Sequence, residues 1–482
     1  MSNTSDRARP SKRGRIILIT IVVVALTAFV AWKMIDYRSE PPVPVFVPTP
    51  ERLDALRYLT EAKTGANAAG DDFANGILRD IAGLQVRAGD LAGARAFAKA
   101  ISDEGARAFA LIRIAATQAE MGDLVGAKAT VRSFPAAADG TISDGFEAAA
   151  AAQVRAGDVA GAKATANIIT DGSSKAEALS KIAAAQARAG DVAGAIATAN
   201  AIIEDSSKVP ALAEIAAAQA KAGDQAGARQ TFAQAEAMAN AIKDALDRNY
   251  SLRDIAIAQA QAGDLARAKI TVGGMIGFDG SVALRVIAKA QARAGDVAGA
   301  KATLNAITDI SYRALALSDV AVAQAKGGDR AGASQTFAEA RAAADSRTTT
   351  PDKGGTLCEI AAAQARAGDI TAAQTTLNSV TDDDYKTPAL AAIAAAQAKA
   401  GDIAGAKATV NTIAGDRLDG ASVFPALVAI VQAQAGTEGF PATERWVQTI
   451  SEPKARTLYY IALAKARLNS NGAQNAGGED ED

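Results

Sequence analysis

Residues Ile182–Asn200 read IAAAQARAGDVAGAIATAN, and variants of this stretch recur from about residue 77 to residue 411. At its centre is Gly190-Asp191. The same step stands at Gly89, Gly122, Gly157, Gly190, Gly223, Gly263, Gly295, Gly328, Gly368 and Gly401, each followed by Asp. The intervals are 33, 35, 33, 33, 40, 32, 33, 40 and 33 residues. A period in this range marks a helical solenoid, in which each unit packs only on its neighbours.

The grammar around the step explains why each unit folds. Large apolar residues sit eleven and eight before the Gly, as in Leu179 and Ile182 or Leu212 and Ile215. With the alanines that follow, they form one helical face. Gly then ends this first helix, since it takes a left-handed cap conformation at little cost. Asp starts the second helix, because its carboxylate accepts from the exposed backbone N–H groups there. Ala follows five past the Gly (Ala94, Ala127, Ala162, Ala195, Ala228), which lets the two helices approach closely. Aromatics are only 4% of the chain, in keeping with many thin interfaces rather than one thick core.

A helix, a tight Gly-Asp turn and a second helix in a period near 34 residues resemble the tetratricopeptide repeat family. The Gly of the turn and the small residue five past it match the family pattern. The aromatic four before the Gly is replaced here by Gln, the aromatic of the second helix is usually Ala, and the closing Pro is absent. The resemblance spans about residues 51–468 and implies an all-α fold, a right-handed α-solenoid of about eleven helix-turn-helix repeats. It also implies a concave surface lined by first helices.

The chain begins with a basic segment, residues 1–15, carrying Arg7, Arg9, Lys12, Arg13 and Arg15 against Asp6. Ile16–Trp32 then runs without a charge, at the short end of what spans a bilayer, and a single transmembrane helix is expected over 16–34. No pair of small residues at signal-cleavage spacing closes the run, so an uncleaved anchor is expected. The basic excess before the span puts the N-terminus in the cytoplasm and the repeats outside the membrane. An Ala- and Gly-rich, Lys-poor composition reads as bacterial, which makes that space the periplasm and the membrane the inner one. Residues 35–50 form a Pro-rich, semi-rigid linker. Thr49-Pro50-Glu51 supplies a helix start, with Thr as N-cap and Pro in the first turn.

Two long intervals stand out. The block from Asp191 resembles that from Asp296 at an offset of 105, as in a duplicated three-repeat cassette. Gln230-Thr231-Phe232-Ala233 and Gln335-Thr336-Phe337-Ala338 each open a lengthened second helix, and residues 243–250 and 347–354 are expected to project as loops or extra turns. After Asp402 the pattern decays, and 454–468 reads as a terminal capping helix bearing Tyr459 and Tyr460 near Phe440 and Trp446. The tail, 469–482, ends in Glu-Asp-Glu-Asp and reads as a disordered acidic segment.

Little reactive chemistry is on offer. There is no His, and the single Cys, Cys358, reads as a packing residue inside a first helix. No nucleotide-binding loop is present, and the recurrent Asp residues are already used as N-caps. No catalytic residue, metal, cofactor or small-molecule substrate is therefore expected, and the chain is not read as an enzyme. Fifty-one basic and fifty-three acidic residues give a net charge of −2, and no basic, aromatic-interleaved patch points to nucleic acid.

Two recurrent polar positions remain. Gln stands four before the Gly in all ten repeats, either as an amide bonded to the turn or the next repeat or as a ladder facing a ligand. A basic residue stands two before the Gly at Arg87, Arg155, Arg188, Lys221, Arg293, Lys326, Arg366 and Lys399. These cations complement the helix dipole; they are also the candidate partner-binding ladder along the concave surface. The Lys and Asn of the family's carboxylate clamp are missing, so that activity is not implied. The expected function is a membrane-anchored scaffold for unidentified protein partners. The alternatives are a passive envelope spacer and a binder of an acidic cell-wall polymer.

Overall fold

The computed structural model describes residues 49–69, 71–101, 103–131, 150–151, 153–154, 157–167, 169, 171–273, 275, 277–346, 350–413 and 422–472. The expected membrane span, the linker up to residue 48 and the tail beyond 472 lie outside them. Among the described residues no helix is long and apolar enough to cross a membrane. All of them belong to one unit that begins at Pro48.

That unit is all-helical. It opens with α1 (Pro50–Ala69), α2 (Asp71–Ala88), α3 (Leu91–Ala100), α4 (Glu104–Glu120) and α5 (Leu124–Val131). It continues with α6 (Val159–Ala166), α7 (Gly172–Arg188), α8 (Val192–Asn200), α9 (Asp205–Lys221), α10 (Gln225–Ala241) and α11 (Ala245–Gln261). Then come α12 (Leu265–Val272), α13 (Phe278–Arg293), α14 (Val297–Leu304), α15 (Ile310–Lys326), α16 (Arg330–Asp345) and α17 (Thr350–Arg366). The last are α18 (Ile370–Asn378), α19 (Thr387–Lys399), α20 (Ile403–Asn411), α21 (Phe424–Glu438), α22 (Phe440–Gln448) and α23 (Pro453–Gly472). From α2 onward they alternate as first and second helices, the helical residues 150–151 and 153–154 holding the first-helix place before α6. This gives eleven consecutive pairs and leaves α1 and α23 over.

Each turn is built alike. The ten glycines of the Gly-Asp step have φ between 84 and 93°, the left-handed region. The following Asp N–H bonds back to the Gln carbonyl five residues earlier, at 2.7–3.0 Å, closing a Schellman turn. Its carboxylate then accepts from the backbone N–H three residues on, at 2.7–3.1 Å, in all ten repeats. Stop and start are thus satisfied together.

The core follows the small-residue pattern. Ala94, Ala127, Ala162 and Ala195 are fully buried, and so are Ile81, Ile114, Ile182, Ile215, Ile255 and Ile287 of the first helices. Burying an Ile side chain contributes about 1.5–3 kcal/mol. The long repeats spend their extra residues on the second helix: α10 has 17 residues and α16 has 16, against 8 in α12 or α14. Residues 245–250 therefore lie in the opening turns of α11 rather than in a loop. Residues 350–354 likewise open α17, and 347–349 lie outside the described residues.

The expected helix over 454–468 forms and runs on to Gly472, into the first residues of the expected disordered tail, but it does not cap the end of the stack. Helix α23 packs along α1, and Tyr58, Leu59 and Ile81 share one buried cluster with Leu427, Leu458 and Ile461. The order of packed helices within this unit returns to its beginning. Phe440, Trp446, Tyr459 and Tyr460 serve that packing: Trp446 meets Tyr459 edge-on at 4.8 Å, and Tyr459 is 3% exposed. Cys358 is buried in α17, and burial pushes its thiol up to about 11.

Candidate functional site

The recurrent Gln is a turn fastener rather than a ligand contact. Its side-chain oxygen accepts from the hydroxyl of a Thr twelve residues on, in the second helix, at 2.6–2.8 Å in nine repeats. In five repeats its amide also donates to the capping Asp, at 2.7–3.2 Å. One side chain thereby joins the end of the first helix, the cap of the second and its middle. All five repeats carry Gly three past the Asp. A Cβ there would lie 2.2–2.6 Å from the Gln amide, at Gly126, Gly194, Gly227, Gly299 and Gly332. Where Arg267 occupies that position, the Gln259 amide turns instead to Glu236, which Arg267 holds through two bonds of 2.8 and 2.7 Å.

The basic positions separate into different environments. Arg87 is half-buried and donates to Asn469 of α23 at 3.0 Å; burial lowers its pKa. Arg188 reaches Glu214 of the next first helix at 3.2 Å. Lys221 is exposed. Arg155 lies outside the described residues. Arg293, Lys326, Arg366 and Lys399 come together along one groove of about 720 Å³.

This groove is walled by first helices α13, α15, α17 and α19 and closed by residues 422–426 at the start of α21. Its floor is alanine (Ala323, Ala362, Ala365, Ala391, Ala392, Ala395 and Ala396 among others), so it is shallow, with neither aromatic platform nor deep apolar pocket. Lys289 adds a fifth cation, against two carboxylates, Asp319 and Glu359. Asp319 is already engaged by Arg285 Nε at 2.5 Å. The surface is an extended, net-positive trough spanning five repeats.

Neither a family model nor any curated protein matches the chain. Similar solved structures include Ton1535 from Thermococcus onnurineus NA1, at 17% identity and a TM-score of 0.29 over 64% of this chain and 96% of that one. Another is the pentatricopeptide repeat protein PPR10 from maize, at 16% identity and a TM-score of 0.28 over 82% and 68%. Neither bears on what this chain binds.

Smaller clefts echo the duplicated cassette. One of about 330 Å³ lies among Ala220, Gln225, Phe232, Gly263 and Asp264. Another of about 270 Å³ lies among Ala325, Arg330, Phe337, Gly368 and Asp369, each displaced by 105 residues from its counterpart. They arise where a long second helix passes the next turn. Among the described residues no group of three or more Asp, Glu or Cys side chains gathers in metal-binding geometry.

Proposed function

We propose that this chain is a scaffold of right-handed, tetratricopeptide-like repeats that holds acidic segments of partner proteins along its first-helix trough. The supporting observation is the convergence of Lys289, Arg293, Lys326, Arg366 and Lys399 on one groove with an alanine floor. Such a floor admits an extended backbone, and Arg293, Lys326, Arg366 and Lys399 stand one repeat apart to meet carboxylates along it. In this reading Ile16–Trp32 anchors the chain in a bacterial inner membrane, with the repeats in the periplasm. The spacer alternative is disfavoured by the packing of α1 on α23, because a stack whose ends meet spans little distance.

The test is capture of partners in cells by crosslinking. The wild-type chain is compared with one carrying Arg293→Gln, Lys326→Gln, Arg366→Gln and Lys399→Gln, each at low and high salt. Exposed ion pairs contribute about 0.2–1 kcal/mol each, so four together should weaken capture by on the order of 2 kcal/mol. Capture by the wild type should also fall with salt, as the Debye length shrinks from about 10 Å at 0.1 M to about 3 Å at 1 M. Equal recovery in all four conditions would overturn the reading. Captured material that resists protease would point to the acidic wall polymer instead.

A further inference from the structure

Among the described residues, α23 is a first helix with no second helix after it, and α1 is a second helix with no first helix before it. They supply each other's lack. Asp54 meets Arg467 at 3.0 Å, Tyr58 lies 6.4 Å from Tyr460, and Gly65 abuts Thr457. Ascending numbers in α1 thus meet descending numbers in α23, the antiparallel order of every other pair. Helix α1 also packs on α2, as each second helix packs on the next first helix. The two ends of the stack make one split, twelfth repeat.

This seam differs from the other pairs in one respect. No turn joins its two helices, so packing and side-chain bonds alone hold them. Ala55, Leu59, Ala62 and Ala66 of α1 and Leu458, Ile461 and Ala462 of α23 are buried in one cluster. Arg57 grips Glu444 of α22 with both nitrogens, one at 2.8 Å, from a side chain that is 49% exposed. Parting the seam uncovers two apolar faces, each shaped for the other. A second copy carries the same two faces, so two opened copies can remake every contact by exchange, a low-cost route to a dimer.

We propose that the α1–α23 seam is a reversible junction through which two copies of this chain pair, α1 of each docking on α23 of the other. Closure within one chain dominates when the protein is dilute, because the tethered helix has the higher effective concentration. Crowding copies together, as on a shared surface, shifts the balance toward exchange. The ion pairs at the seam are partly exposed, so salt eases the opening.

Two experiments on the full chain test this. The first introduces Gly65→Cys with Thr457→Cys. A Cβ at position 65 lies 3.5 Å from the Thr457 Cβ, within the span of a disulfide, and the native Cys358 is buried elsewhere. Light scattering over rising concentration should show dimer for the wild type and the reduced variant. The variant oxidised while dilute and then concentrated should show about tenfold less, since its α1 is tied within the chain. Equal dimer before and after oxidation, or a wild type monomeric at every concentration and salt, overturns the proposal. The second mixes a chain carrying Arg57→Glu with one carrying Glu444→Arg. Each alone has like charges at its own seam, whereas an exchanged pair is matched at both. Mixing should yield a dimer of one of each, and failure to form it overturns the proposal even if the cysteine variant does not fold.

Discussion

Thr198 Oγ1 donates to the side-chain oxygen of Gln186 across 2.6 Å, joining the two helices of one repeat through buried polar atoms. The pair is also a test of the fold. Thr198→Val strands the Gln oxygen and should cost about 1–3 kcal/mol, the scale of a buried polar atom left unpaired. Gln85 provides the contrast: Phe97 stands where its Thr would be, and its Oε1 is buried without a partner. Gln85→Leu should therefore leave the unfolding midpoint unchanged or raise it. Denaturant unfolding of the two variants checks both outcomes.

The turn glycines make a second pair of expectations. Gly190 has φ 88° and open space around its missing Cβ, so Gly190→Ala should cost only the backbone strain, about 1–2 kcal/mol. Gly194→Ala meets the Asp191 carboxylate at 2.0 Å and the Gln186 amide at 2.5 Å. Ala372 stands at the same place with both its cap and its Thr bond kept, so Gly194→Ala should part only the Gln186 amide from Asp191 and cost no more than Gly190→Ala. Amide exchange in α7 and α8 reads the difference, with distant repeats still protected.

Acid should loosen the caps. The Gly194 N–H and the Gln186 amide hold Asp191 below the ordinary carboxylate range, and Asp296 and Asp329 are held down in the same way. Groups depressed in the folded state contribute stability above their unfolded pKa, about 3.9 for Asp, and lose it as pH falls through the folded value. Asp254 works in the opposite sense, since burial raises it despite Arg253. The caps outnumber it, so helicity and melting temperature should hold from neutral pH down to about 4 and fall below that. Circular dichroism melts across pH measure this, and Asp191→Asn, which keeps the cap oxygen, should make the acid limb shallower.

Truncation probes the closure directly. Removing residues 1–69 takes α1 away from α23, although the two lie at opposite ends of the chain. Amide exchange should rise in α23 and α22 as well as in α2, while α9 to α13 keep their protection. An open stack would show the change at α2 alone.

The repeats were legible because Gly and Asp each have one physical reason to stand where they do, and all ten turns carry both. The Thr partner of Gln was also visible in the sequence, twelve residues on in nine repeats. A hydroxyl on a helix reads as solvent-facing until its acceptor is known. The basic ladder looked uniform because all eight positions share one place in the repeat. Curvature and neighbours, such as Glu214 beside Arg188 and Asn469 beside Arg87, sort them into separate environments. The seam left no periodic trace, since α1 lacks the Gly-Asp step and its partner lies at the far end of the chain.

Because α1 completes α23, the number of repeats is no longer free. An open stack can gain or lose a unit and simply change its length. Here eleven successive pairs bring Asp54 back to Arg467. Deleting one whole repeat, such as residues 191–223, would leave the remaining Gly-Asp turns in place yet move the two end helices out of register. Tolerance to repeat deletion, ordinarily high in such chains, should here be lost in whole-unit steps and return only when α1 is removed as well.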